Sequence, residues 1–246
     1  MLATGFLVGT LAVVTPTARV HDPGPATVQP VAATQPRWTV AELGPAFAFD
    51  PAEPSPWAGR LGDVLGFQIP LGNSATDPGR TVLYRNGRKI GESPAAGRGN
   101  FVVPPGAATY QLHAEAGRST RVSADWTFTS STVTGSYPAQ LPLLAVRLAP
   151  QLYGHHRARA GRPFAFAMYV QRNGAASATC VHSPTVQVSY DDGRTWRSAH
   201  VLLNGHQWRV RVIHPAHARF VSLRATARDY SGNTVRQTII RVYPLR

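Results

Sequence analysis

The sequence predicts an all-β protein made of two tandem antiparallel β-sandwich modules behind an apolar and Pro-rich N-terminal tail. Short runs in which apolar and polar residues alternate recur along the chain, as expected for strands with one buried face. The chain contains 21 Pro and 22 Gly, which interrupt these runs at turn-like positions. No window keeps the apolar period of an amphipathic helix. With 246 residues, the chain has room for two domains of about 100 residues each.

Residues 1–36 are predicted to be a signal-like segment followed by a linker. Residues 1–18 form an apolar run with the length of a signal-peptide core, which is marginal for a transmembrane helix. The run lacks a positively charged start, and Pro16 would occupy the −3 position of a cleavage site after Ala18. The cut edge of a longer protein explains the run equally well. Residues 21–36 are rich in Pro, Ala, Thr and Gln, as linkers are. We expect an extracellular protein without a stable membrane span.

The first module is predicted over residues 37–130. Its clearest signal lies at residues 81–92, where Asn86-Gly87 separates two extended runs and predicts a type I′ hairpin. Near its end, apolar residues alternate with Ser123, Asp125 and Thr127, which predicts a closing strand with one wet face. That closing strand is predicted over residues 122–128, and the other segments predicted to be extended are 38–43, 47–49, 65–69, 101–103 and 108–114.

The second module is predicted over residues 143–246, after a joint at residues 131–142 that contains Gly135, Pro138 and Pro142. Seven strands separated by turns at intervals of roughly ten residues are typical of an immunoglobulin-like or fibronectin-like sandwich. These strands are predicted at 144–148, 164–171, 185–190, 196–203, 207–213, 220–228 and 234–243.

The most distinctive stretch is Ser-Tyr-Asp-Asp-Gly-Arg-Thr-Trp at residues 189–196, which we interpret as the tip of a hairpin. It matches the Asp-box pattern of sialidase-like propellers, but a propeller repeats the box in successive blades and this chain has it once. We therefore expect Asp191 to accept hydrogen bonds from turn amides, Gly193 to supply a positive φ and Trp196 to pack on the sheet, with Asp192 as a further residue of the turn. A sialidase-like glycosidase is not expected.

Two turns offer oxygen atoms of the kind that calcium prefers. Asp191 lies in the first, and Asp229 and Asn233 lie in the second, with Gly232 between them. A tight turn whose Asp and Asn bond their own backbone explains both stretches more simply. His214 and His217 come nearest to a zinc-ligand spacing, but neither a helix nor a carboxylate accompanies them. We expect no bound metal and no cofactor.

The charge of the chain does not by itself predict a nucleic-acid partner. The net charge is +13, yet Lys89 is the only lysine and the arginines are scattered along alternating strands rather than clustered. RNP, helix-turn-helix and zinc-finger patterns are absent. The single cysteine, Cys180, excludes an internal disulfide and is interpreted as a spectator thiol.

The sequence does not contain the motifs of a hydrolase. Gly-x-Ser-x-Gly, Gly-Thr-Ser, His-Gly-Thr and Asp-Ser/Thr-Gly are all missing, so no serine nucleophile, base or orienting acid is predicted. Only 12 acidic residues exist, and most of them fall in turns, which argues against the paired carboxylates of a glycosidase. We expect that the chain is not an enzyme on its own.

An ordered set of stretches resembles the C-terminal non-catalytic region of actinobacterial subtilisin-like serine peptidases. The stretches are TVLYRNGRKIGES (81–93), FVVPPGAATYQL (101–112), RVSADWTF (121–128), LPLLAVRLAP (141–150), VSYDDGRTWRSA (188–199) and FVSLRATARDYSGNTVRQTIIRVYPL (220–245). The resemblance implies an accessory region, from a gene fragment or a detached copy, that stabilises or orients a catalytic domain in cis or in trans or binds a substrate. It carries over no catalytic residue. The alternative is a stand-alone extracellular module for carbohydrate or cell-wall binding or for adhesion, with a protein or cell-wall surface as its partner.

Overall fold

The computed structural model describes Pro45 and residues 58–71, 78–118, 120–154, 156–174, 181–204 and 207–246. All the regular secondary structure in these residues is β-strand, which confirms the predicted all-β class. All of them belong to one compact unit. Within the described ranges the chain forms no helix of the length and apolarity that a membrane crossing requires.

We refer to residues 58–142 as the first half and to residues 143–246 as the second half. The strands of the first half are β1 (Ala58–Leu61), β2 (Val64–Gln68), β3 (Gly79–Arg85), β4 (Arg88–Ser93), β5 (Arg98–Val102), β6 (Ala108–Gly117), β7 (Arg121–Ser130) and β8 (Ala139–Gln140). The strands of the second half are β9 (Leu144–Ala149), β10 (Pro163–Arg172), β11 (Thr185–Ser189), β12 (Arg197–Ser198), β13 (His200–Asn204), β14 (Gln207–Ile213), β15 (Phe220–Arg228) and β16 (Thr234–Pro244).

The strands form three antiparallel sheets. Two of them have four strands, in the orders β5-β2-β1-β8 and β13-β14-β10-β9, and each belongs to one half. The third, which we call the large sheet, has eight strands in the order β12-β11-β15-β16-β7-β6-β3-β4. Its centre is the pairing of β7 with β16, from Thr234 opposite Thr127 to Ile240 opposite Arg121. The large sheet therefore contains strands from both of the predicted modules. The predicted joint between the modules contains β8, which pairs with β1.

Most predicted strands are present in the structure. The alternation of apolar and polar residues that predicted them matches the alternation of buried and exposed side chains. In β7, Val122, Ala124, Trp126 and Phe128 are buried, as expected for the side chains of one face. The Asn86-Gly87 turn joins β3 to β4, and both residues have the positive φ that a type I′ hairpin requires, +49° and +79°.

One predicted strand is wrong in part. Residues 196–203 do not form a single strand paired back onto the preceding one. β12 pairs with β11 over only two residues, and after Ala199 the chain crosses to the smaller sheet and continues as β13 beside β14. The physical reason is that β14 competes with β11 as a pairing partner for this segment. Beside β14, Val201 lies opposite Val210, so the crossing places one apolar side chain next to another.

Buried polar side chains tie the sheets to each other. The indole Nε1 of Trp126 donates to the carbonyl of Leu144 over 2.7 Å. The Gln237 amide forms two bonds with the backbone of Val146 in β9: the Val146 N–H donates to Oε1 over 3.0 Å, and Nε2 donates to the Val146 carbonyl. Since β9 is an edge strand, Gln237 satisfies peptide groups that the ladder leaves free. One cluster of buried apolar residues runs through both halves.

Several predicted features lie outside the described residues. These are the signal-like segment and linker at residues 1–36, the extended segments at 38–43 and 47–49, and Cys180.

Candidate functional site

A groove of about 650 Å³ opens in the second half, where strands of two sheets meet. It is lined by the start of β10, the end of β14, the end of β11 and the segment that joins β12 to β13. Phe164, Val188, Ala199 and Val212 make its floor apolar, and the ring of Tyr190 adds to this surface. Ligand sites commonly have a volume of roughly 300–1,000 Å³, with mostly apolar walls and a few polar groups. We take this groove as the candidate functional site.

Three basic side chains line the groove: Arg197, His200 and Arg211. Arg197 lies opposite buried Val188 in the β11–β12 ladder, so both side chains are on the same, inward face of the large sheet. His200 lies opposite Arg211 in the β13–β14 ladder. In the described part of the chain, neither guanidinium has a hydrogen-bond or ion-pair partner, and no carboxylate lines the groove.

A buried imidazole lies beneath one wall of the groove. His214 is completely buried, with Nδ1 at 3.1 Å from the Tyr190 hydroxyl and Nε2 at 3.4 Å from the Tyr243 hydroxyl. The ring of Phe164 packs against it at 5.4 Å between centroids. The Tyr190 hydroxyl also donates to the carbonyl of Ile213 over 3.3 Å. Tyr190 therefore connects the groove surface to the interior.

Burial determines the protonation state of this cluster. It lowers the pKa of His214 to about 4, because none of the described carboxylates compensates a buried imidazolium. Burial raises the pKa of Tyr190 to about 12, against the opposing effect of the nearby Arg197 charge, and it raises the pKa of Tyr243 further. At neutral pH all three groups are uncharged. A neutral imidazole donates from one nitrogen and accepts at the other, which suits a tyrosine on each side.

Apart from Tyr190, which lines the groove, the Asp-box stretch forms a closed turn. Asp191 accepts hydrogen bonds from the Thr195 N–H over 2.9 Å and from the Thr195 hydroxyl over 2.6 Å. The Ser189 hydroxyl donates to Asp191 over 2.7 Å and accepts from the Gly193 N–H over 2.9 Å. These bonds lower the pKa of Asp191 to about 2.

The rest of this stretch packs on the outer face of the large sheet. Gly193 has a φ of +86°, and a Cβ there would meet the side chain of Ile240 at 2.9 Å. Asp192 forms a two-bond ion pair with Arg241, over 2.9 and 2.7 Å. The Trp196 ring lies under the guanidinium of Arg224, at 4.1 Å from its centroid.

The second acidic turn is equally closed. One oxygen of Asp229 accepts from the Asn233 N–H and the other accepts from the Asn233 side-chain amide, each over 2.8 Å. Gly232 has a φ of +89°, and its N–H donates to the Asp229 carbonyl. Within the described residues, no three His, Cys, Asp or Glu side chains come together as metal ligands. The structure does not bring Asp191 and Asp229 into a common site.

Sequence patterns did not single out the groove residues. Arg197, His200 and Arg211 are 14 positions apart at most, but only the crossing at Ala199 places them around one groove. A signal was present, since Arg197-Ser198 interrupts the alternation between Trp196 and Val201. The two strand partners that make the crossing favourable cannot be read from that local break.

No family model, curated protein or solved structure matches this chain.

Proposed function

We propose that this chain is a non-catalytic accessory region of the kind that follows the catalytic domain of secreted subtilisin-like serine peptidases. On this proposal it consists of two β-sandwich modules, the second immunoglobulin-like, and uses the groove to hold a substrate or the catalytic domain. The observation that carries the binding role is the apolar groove lined by arginines without partners. The ordered stretches that resemble the peptidase tails carry the family assignment.

Those stretches supply the framework around the groove. Residues 81–93 contain the β3–β4 hairpin, residues 121–128 lie in β7, and residues 220–245 contain β15 and β16, all in the large sheet. Residues 188–199 contain the closed turn, β12 and the crossing that lines the groove. A shared framework of this kind supports a common fold and leaves the ligand to the groove side chains.

The carboxylates in the described part of the chain are bound to neighbouring side chains. Their partners are Arg60 for Asp63, Lys89 for Glu92, Arg80 for Glu115, His113 for Asp125, Thr195 for Asp191, Arg241 for Asp192 and Asn233 for Asp229. Each of these carboxylates is therefore paired within the fold, whereas Arg197 and Arg211 have no partner among the described residues. This favours binding of an anionic partner.

The test uses the purified full chain and casein. We expect no cleavage that a serine-peptidase inhibitor suppresses, together with retention of unfolded casein on the immobilised chain. Active subtilisin serves as the positive control for cleavage. Inhibitor-sensitive cleavage by this chain would overturn its non-catalytic role. If the chain retains neither casein nor a subtilisin-like catalytic domain, the accessory role is overturned.

A second candidate is a stand-alone module that binds carbohydrate or cell wall. It is favoured by tyrosine rings at the surface, of which Tyr137 is 85% exposed, Tyr153 63% and Tyr230 68%. Exposed aromatic rings offer stacking surfaces to sugar rings. Retention on peptidoglycan or on a glycan array that Tyr230→Ala removes would support this candidate, and blank results on both would reject it.

A further inference from the structure

We propose that the groove binds an extended polypeptide segment in which acidic residues accompany apolar ones. The proposal rests on the accessory binding role and names the class of its ligand. Its occupant is a segment of another protein, seated on the apolar floor with carboxylates on Arg197 and Arg211.

Charge complementarity identifies the occupant as an anion. Arg197 and Arg211 are exposed residues on strands of different sheets that line the groove, and neither has a partner among the described residues. Arginine forms two parallel hydrogen bonds with a carboxylate, so two unpaired guanidiniums at one groove suit a ligand with more than one carboxylate. The absence of Asp and Glu from the described lining leaves nothing to repel such a ligand.

The floor requires an apolar part in the same ligand. Phe164, Val188 and Val212 line the groove, and the cluster that continues beneath it is uncharged. A simple inorganic anion would leave this floor wet, whereas an aliphatic side chain would cover it and gain free energy from its burial.

The walls favour a polypeptide over a small molecule. Both residues of β12, the edge strand of the large sheet, line the groove, and β13, the edge strand of the smaller sheet, reaches it at His200; each strand has a ladder on one side only within the described residues. An extended main chain presents N–H and C=O groups with the spacing that such edges accept. Its alternating side chains then supply both the carboxylates and the apolar groups.

The test measures binding of a short fluorescein-labelled peptide in which Glu and Val alternate, by fluorescence anisotropy with the full chain. Single variants Arg197→Glu and Arg211→Glu are each expected to weaken binding at least tenfold. Arg209→Glu is the matched control: it is exposed on β14, two residues from Arg211, makes the same charge change and does not line the groove. It should change the affinity less than twofold. Unchanged circular dichroism confirms that all three variants are folded.

Two further probes define the ligand class. A peptide with Gln in place of Glu is expected to bind at least tenfold more weakly, and acetate or inorganic phosphate should not displace the acidic peptide at equal concentration. Equal weakening by Arg209→Glu, equal binding of the neutral peptide, or displacement by the small anions would each overturn the proposal.

Casein retention separates this inference from the accessory role. If the wild-type chain and the variant carrying both Arg197→Glu and Arg211→Glu retain casein equally, the accessory role stands and the groove assignment fails. If the wild-type chain holds neither the peptide nor casein nor a catalytic domain, both fail.

Discussion

His214 shows how one buried side chain couples the groove to the interior. Its imidazole is enclosed by Tyr190, Tyr243 and Phe164, and the first of these also forms part of the groove surface. Among the described residues the enclosure contains no charged partner, so the neutral ring is the stable form. Protonating the ring therefore raises the free energy of the folded state and not that of the unfolded chain.

The first prediction concerns this titration. The unfolded chain protonates His214 near its ordinary pKa of 6.5, and the folded chain does so only near 4. Stability contributed by this group is therefore complete above pH 6.5 and falls as the pH is lowered toward 4, by about 3 kcal/mol in total. Urea unfolding at pH 7 and pH 4.5 should show this loss in the wild type and a much smaller loss in His214→Phe.

The pKa of His113 is shifted in the opposite direction to that of His214, and this shift does not affect the comparison between the two proteins. Its hydrogen bond to Asp125 raises its pKa, so its contribution is complete below pH 6.5 and is lost above that. Both proteins contain His113, so its effect cancels in the difference between them. An equal loss of stability in wild type and His214→Phe would contradict the first prediction.

The second prediction concerns the Asp229 turn. In Asp229→Asn, one of the two carboxylate oxygens becomes an N–H₂ group, which faces a donor of buried Asn233 instead of accepting from it. We expect this to lower the free energy of unfolding by about 2 kcal/mol. Asp192→Asn is the control, because it alters an exposed ion pair and should cost less than about 1 kcal/mol. Chemical denaturation measures both. Calcium should leave the melting temperature of the wild type unchanged, and a rise that Asp229→Asn abolishes would show that the turn binds calcium.

At the scale of secondary structure, the edge of β9 depends on a side chain from the large sheet. Gln237 pairs with the backbone of Val146 in the way that a neighbouring strand would. This arrangement leaves β9 without free peptide groups at that point and aligns it with β15 and β16.

The third prediction follows from this pairing. Gln237→Met keeps the length of the side chain but leaves the N–H and C=O of Val146 buried without partners, and we expect a loss of about 2–4 kcal/mol. Gln111→Met is the control, since Gln111 is exposed on β6. Urea titrations of both variants measure the difference. Similar small losses in the two variants would show that Val146 finds other partners.

The strands that were predictable are those whose burial is local. β14 and β15 begin and end where their alternation does, and the Asn86-Gly87 turn follows from the φ values that Gly and Asn tolerate. The crossing at Ala199 depends on the partners of two strands, and the buried Arg60 depends on Tyr110, Asp63 and Thr132 around it. Such features require contacts between distant positions, which local patterns do not encode.

At the scale of the molecule, the pairing of β7 with β16 makes one sheet out of two halves. The ladder runs over seven residue pairs, and the buried cluster is continuous across it. Separating the halves would expose two long strand edges and the apolar surface behind them.

The fourth prediction is therefore that the two halves unfold together. In native-state hydrogen exchange, the most protected amides of β6 and β15 should show the same free energy of opening, equal to that of global unfolding. Tryptophan fluorescence and far-ultraviolet circular dichroism should report coincident transitions. Two separated transitions, or different opening free energies in β6 and β15, would show that each half is an independent module.

The large sheet also fixes the distance between its two edge strands, β12 and β4. Its eight strands lie about 4.8 Å apart, so β12 beside the groove is about 34 Å from β4 at the opposite edge. Because every strand in between is held by a ladder, this distance does not depend on a flexible connection. If the groove binds a ligand as proposed, a domain fixed near β4 would meet that ligand at one set separation, and lengthening a loop elsewhere would not change it.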